Sequence, residues 1–132
     1  MYFDTHAHYD DDRFQNDREE VLADLKNAGV TLAMDIGCDM TTSLKAVQIA
    51  ESHPFVYAAV GTHPHEARHM KPGDLELYRA LCQRPKVRAI GEIGLDYYYD
   101  NSPREAQREW FEKQMQLAKE VGKPVVIHSR DA

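Results

Sequence analysis

The stretch Val125-Val126-Ile127-His128-Ser129-Arg130-Asp131-Ala132, VVIHSRDA, decides the fold. A short β-branched apolar run reads as a buried strand, and the histidine directly after it reads as a reactive side chain delivered to a surface loop. Four comparable runs precede it, Tyr2 to Thr5, Val30 to Ile36, Phe55 to Val60 and Val87 to Ile90. Most are apolar on both faces, as parallel strands covered by helices should be.

Helical signals lie between them. Asp17 as N-cap, with Glu20 at the reciprocal capping-box position, opens a first helix that Gly29 ends. A second is expected from about Thr41 to His53, before Pro54, and a third from about Pro72 to Arg84. The fourth opens with Ser102-Pro103-Arg104-Glu105 as N-cap, N1 proline and capping glutamate. Its inner stripe is Ala106, Trp110, Leu117, Ala118 and Val121, and Gly122 with Pro124 stops it. The order βαβαβαβαβ with right-handed crossovers makes a parallel sheet. An open doubly wound sheet and part of a (β/α)8 barrel share that order; no glycine-rich phosphate fingerprint follows the first strand, which weakens the dinucleotide-binding version. The expectation is an α/β chain: about five strands and four helices of an incomplete TIM barrel, one domain over residues 1–132.

Composition narrows the class. The charges are mixed, no stretch approaches the ~20 apolar residues that span a bilayer, and the start MYFDTHAHYDDD has no basic or long apolar export signal. Cys38 and Cys82 lie outside any CxxC pattern, so reduced thiols and a cytoplasmic location are expected. A formal net charge of -6 is the wrong sign for holding nucleic acid on a broad basic face. A phosphate substrate would have to be neutralised locally, by bound metal ions.

The chemistry sits at strand ends. In FDTHAHYD, His6 and His8 are two apart, and a period of two points both imidazoles to one face, where they could share a divalent cation; alone, HxH equally describes a polar loop. The third strand ends VGTHPHE, placing His63 near the strand and His65 in the loop beyond. The fourth ends AIGEIGLDYYYD, where Glu92 follows an apolar run between glycines; a carboxylate there is costly unless paired, by an arginine or by metal. Asp96 reads as a second-layer or loop-capping residue, and Tyr97, Tyr98 and Tyr99 as the rim. The fifth ends at His128. Cys38 and Asp39 follow the second without an evident role. Four of five strands thus finish in a histidine or glutamate, a coincidence of position that surface histidines would not show.

Taken together, FDTHAH, GTHPH, GEIGLDYY and KPVVIHSRDA resemble the motifs of the TatD family of metal-dependent hydrolases, in order and over the whole chain. The resemblance implies a deoxyribonuclease-type phosphodiesterase on a TIM barrel, using two divalent metals, magnesium first, with manganese or zinc as alternatives. By the same resemblance His6 and His8 are ligands of one metal, Glu92 the bridging carboxylate, His128 a ligand of the second, and His63 a substrate-facing residue. Arg130 would face a phosphate. The substrate implied is DNA, as single strands or 3′ ends. The family pattern continues with a histidine after a sixth strand and an aspartate after an eighth, so the expectation is a partial chain of impaired activity that self-associates through open sheet edges. Two other readings compete: an amidohydrolase-like enzyme acting on another bond, and a non-enzymatic half-barrel that binds metal or a partner.

Overall fold

A computed structural model describes residues 1–132. Five strands, β1 Tyr2–Ala7, β2 Val30–Ile36, β3 Val56–Val60, β4 Val87–Asp96 and β5 Val125–Arg130, form one sheet. They run parallel in the order β1-β2-β3-β4-β5. A doubly wound sheet reverses its strand order at a switch point. This one never does, so the architecture is the consecutive (β/α) arrangement of a TIM barrel.

Helices α1 Arg18–Asp24, α2 Met40–Ser52, α3 Pro72–Leu81 and α4 Arg104–Val121 fill the crossovers, with 3-10 turns at Asp12–Phe14 and Pro64–His69. The main core lies between sheet and helices, where Ala33, Val56, Ala58, Val60, Val87 and Ile90 meet Leu22, Val47, Tyr78 and Leu117. On the opposite face Ile36, Ala59 and Ala89 form a smaller cluster with Met34 and Val126. That second face is only partly covered, since Phe3 and Leu32 are exposed, while Val125 and Ile127, in register with Ile90 and Ile93, are exposed on the helix-bearing face at the β5 edge.

Several local expectations are corrected. Asp17 flanks α1 but its side chain makes no capping bond, and α1 ends at Asp24, well before Gly29. Asp39, assigned no role by the sequence, caps α2: its carboxylate accepts from Thr42 N–H, and the Thr42 hydroxyl reaches back to the Asp39 N–H. Ser102 caps nothing. It is fully buried, its hydroxyl accepting from Arg68 N–H and donating to the His65 carbonyl, and Pro103 takes the N-cap position.

Strand β4 runs six residues past the apolar run that marked it, through Gly91-Glu92-Ile93-Gly94-Leu95-Asp96. Close backbone approach requires its glycines. A Cβ on Gly91 would lie 2.6 Å from Val126 Cβ. One on Gly94, whose φ is +148°, would collide with the His128 carbonyl oxygen. These contacts let β5 run beside Glu92 and pair Gly94 with His128.

Two glutamines a heptad apart on the buried side of α4 fix the loops around the strand ends. Gln107 accepts from Asp96 N–H at 2.8 Å and donates to the Asp96 and Ser102 carbonyls. Gln114 accepts from Thr62 N–H at 2.8 Å and donates to the Thr62 and Trp110 carbonyls. Both are buried and each satisfies backbone groups that a loop could not satisfy alone.

Candidate functional site

At the C-terminal ends of the strands, where TIM-barrel sites assemble, the structure brings together His6 and His8 from β1 and its loop, His63 after β3, Glu92 from β4 and His128 from β5. Glu92 is the centre and is buried. Its Oε2 lies 3.3 Å from His6 Nε2 and 3.7 Å from His8 Nε2, and its Oε1 lies 3.2 Å from His128 Nδ1. No arginine or lysine approaches it, which removes the ion-pair explanation for a buried carboxylate.

Hydrogen-bond partners decide which ring nitrogens are free. His8 Nδ1 lies 2.9 Å from the Ile36 carbonyl oxygen, which only accepts, so Nδ1 carries the proton and Nε2 presents a lone pair to Glu92. His128 Nε2 lies 2.9 Å from Asp96 Oδ2, so Nε2 carries the proton and Nδ1 presents its lone pair to Glu92 Oε1. Lone pairs therefore face carboxylate oxygens without a donor between them. Acceptors gathered in this way, with imidazole and carboxylate as the donor set, are what a divalent cation requires. His6, His8 and Glu92 form one such group.

A second group of close ligand atoms, His63, His65 and His128, fails the same test. His63 Nδ1 accepts from the His65 backbone N–H at 3.1 Å, and burial pushes the ring down to about 4 against the pull of Glu92. A neutral ring accepting at Nδ1 must carry its proton on Nε2, so His63 donates to His128 Nδ1 at 3.2 Å. His65 Nε2 is held by Asp96 Oδ2 at 2.8 Å. Of these, only His128 turns an unprotonated nitrogen to the pocket, and that Nδ1 accepts from His63.

Asp96 is the residue whose importance the sequence understated. It is fully buried and its carboxylate is saturated: Oδ1 accepts from Tyr98 and Tyr99 N–H at 3.1 and 2.9 Å, and Oδ2 from His65 and His128. Burial opposes ionisation, yet the Tyr99 N–H and the two imidazoles hold the carboxyl well below the usual carboxylate range. Arg130 stands apart: its guanidinium stacks on the rings of Tyr98 and Tyr99 and does not reach Glu92.

Behind the β1 loop, Asp35 and Asp10 form a buried acidic pair. Neither Asp35 oxygen completes a hydrogen bond, although the backbone N–H groups of Asp10 and Tyr9 lie nearby, and the Asp10 carboxyl faces it. Burial, then the proximity of Asp10, raises Asp35 to about 9, so Asp35 keeps its proton at neutral pH. Burial followed by Glu92 pushes the Cys38 thiol up to about 12, which leaves it inert.

Comparison with known proteins finds similarity over nearly the whole chain. A family model described as "TatD related DNase" matches residues 3–132. An uncharacterised metal-dependent hydrolase of Bacillus subtilis, YabD, is 44% identical over 132 residues, all of this chain and 52% of its own. The 3′-5′ ssDNA/RNA exonuclease TatD of Salmonella typhimurium is 33% identical over 130 residues, 98% of this chain and 50% of its own. The crystal structure of YjjV, a TatD homologue from Escherichia coli, superposes with a TM-score of 0.90 at 33% identity, covering 98% of this chain and 51% of that one. The chain spans about half the length of the curated relatives it matches.

Proposed function

Because this chain belongs to the TatD-related DNase family, we propose that it acts as a metal-dependent phosphodiesterase on DNA, with single strands and 3′ ends as the preferred form. One observation carries the reading: imidazole nitrogens from β1, the loop after it and β5 converge on the two oxygens of a buried glutamate that has no arginine or lysine as partner. The Salmonella relative named as acting on both ssDNA and RNA extends the substrate class to be tested to single-stranded RNA.

His6, His8 and Glu92 Oε2 would hold one cation, and Glu92 Oε1 with His128 Nδ1 would contribute to a second. Bound there, divalent cations would polarise a phosphoryl oxygen and lower the pKa of an attacking water. Magnesium heads the expectation from family resemblance, but it prefers oxygen ligands, whereas this nitrogen-rich set suits manganese or zinc better. His63 supplies a neutral N–H pointing into the pocket, and a phosphoryl oxygen can take the place of His128 Nδ1 as its acceptor. Local cations also answer the charge problem, since the chain as a whole is negative and repels phosphate.

The test is release of nucleotides from single-stranded DNA and RNA, with each of Mg2+, Mn2+ and Zn2+ and with chelator. Metal-dependent release that Glu92→Ala abolishes supports the assignment. Release at the wild-type level from Glu92→Ala would overturn it, and metal binding without release from either polymer would leave a metal-binding protein rather than a nuclease. No helix is long and apolar enough to cross a membrane.

A further inference from the structure

Nine arginines occur in the chain, and eight of them donate a hydrogen bond from the guanidinium. Arg130 is the ninth. Its guanidinium carbon lies 4.3 Å from the centroid of the Tyr98 ring and 4.9 Å from that of Tyr99, and no carboxylate or carbonyl takes its N–H groups. The two tyrosines are themselves 56% and 53% exposed, with ring centroids 4.7 Å apart at 87°. A single exposed tyrosine is ordinary. Two adjoining rings carrying an arginine free of hydrogen bonds are a less ordinary surface in a chain of negative charge.

The position of this surface is tied to the site. Both tyrosines hang from the Asp96 carboxylate through their backbone N–H groups, and the same carboxylate holds His65 and His128. Tyr99 sets its ring against His65, centroids 5.6 Å apart at 87°. Arg130 follows His128 by two residues on β5, which places it on the same face about 6.6 Å further along the strand. The surface therefore adjoins the metal pocket without entering it.

We propose that Tyr98, Tyr99 and Arg130 form a stacking site for a nucleobase of a single-stranded nucleic acid, with the free guanidinium edge taking the phosphate that leads to it. The proposal rests on the phosphodiesterase reading and deepens it. Flat aromatic and guanidinium faces stack on any base, so such a site grips the strand without reading sequence. It also selects single strands, because a paired base has no free face to offer.

The experiment measures binding of the full chain, in Mn2+, to a fluorescently labelled eight-nucleotide thymidylate strand and to an abasic strand with the same phosphates. The Tyr98→Ala/Tyr99→Ala double variant is expected to weaken thymidylate binding by about 5- to 150-fold and to leave the abasic strand unchanged. The Tyr98→Phe/Tyr99→Phe variant, which keeps both rings, should bind thymidylate as the wild type does, and it serves as the control if the alanine variant folds poorly. Arg130→Gln should weaken binding to both strands. Unchanged thymidylate binding by the alanine variant, or loss of the phenylalanine variant's binding to the same degree as alanine's, overturns the proposal. So does an equal loss on the abasic strand. If the wild type releases nucleotides but the alanine variant has the same KM, the stacking site fails while the phosphodiesterase reading stands; if the wild type neither binds nor cleaves either strand, both fail.

Discussion

Replacing Asp96 by asparagine should change the chemistry of His128 without emptying the space around it. The asparagine oxygen can keep accepting from Tyr98 and Tyr99 N–H, which leaves an NH2 group where Oδ2 now accepts from His65 and His128. A donor there forces both imidazoles to present Nε2 as acceptor, so each proton moves to Nδ1. For His128 that proton then sits between Nδ1 and Glu92 Oε1, now 3.2 Å apart, and occupies the direction from which a cation would be bound. Loss of a histidine's orienting partner typically lowers metal affinity 10- to 100-fold, about 1.4–2.7 kcal/mol. The stability cost is separate. Two charge-assisted bonds become neutral ones, at about 1 kcal/mol each and partly offset by removing a buried charge, or about 1–2 kcal/mol in all. For a chain of this length that lowers Tm by roughly 4–8 °C. Long-range 15N correlation spectra of the metal-free protein report the His128 tautomer directly, and calorimetric titration with Mn2+ reports affinity and stoichiometry. The expected outcome is a protonated Nδ1 in the variant, a weakened second cation, and an unaltered first cation at His6 and His8. A variant with Nδ1 still unprotonated and wild-type metal binding would refute the argument.

Other outcomes follow from the same geometry. The raised Asp35 makes the fold bind a proton that the unfolded chain releases above the ordinary carboxylate pKa, so its contribution is present at acid pH and is lost as pH rises. Asp35→Asn should remove that dependence: urea unfolding from pH 5 to 8 should show the variant gaining on the wild type by up to about 1.4 kcal/mol per pH unit, and parallel curves would refute the raised Asp35. Gly94→Ala, which must strain a positive φ and push back the His128 carbonyl, should cost about 2–4 kcal/mol and perturb metal binding; a melting temperature within a degree of the wild type would contradict the register between β4 and β5. The exposed apolar residues on the edge strands, Tyr2, Phe3, Val125 and Ile127, predict self-association that rises with concentration, measured by sedimentation equilibrium. A single monomeric mass across a hundredfold range of concentration would exclude it.

The candidate site residues were legible because a single local rule found them. A histidine or glutamate at the end of a buried run needs no knowledge of the rest of the chain, and equivalence of position made His6, His8, His63, Glu92 and His128 one group. The fold was legible for the same reason, from five runs and four helical signals. What escaped was set by distant partners. The glycines around Glu92 read as places of close approach, but what approaches Gly91 and Gly94, Val126 and His128, lies more than thirty residues on. Asp96 reads as a second-layer or loop-capping residue and is both, but its donors come from three separate segments, which no local pattern announces. On α4 the inward stripe was read as apolar, with Ala106 and Val121 in it, whereas the buried positions include Gln107 and Gln114. A buried glutamine looks like an error of periodicity until the backbone groups it serves are in view.

Those two glutamines make α4 a ruler. Seven residues apart, they stand about 10.5 Å from each other along the axis and on nearly the same side, and each grips one of the loops that carry His63 and Asp96. The two loops bond to each other through Asp96 and Ser102, and one helix sets their spacing from behind. Inserting a single residue between the grips would turn one of them about 100° away and part His65 and His63 from Asp96 and His128, although no side chain of the pocket had been touched. The length of this helix between Gln107 and Gln114 is therefore as much a condition of the chemistry as the histidines are, and it tolerates substitution on its outer face but not a change of count.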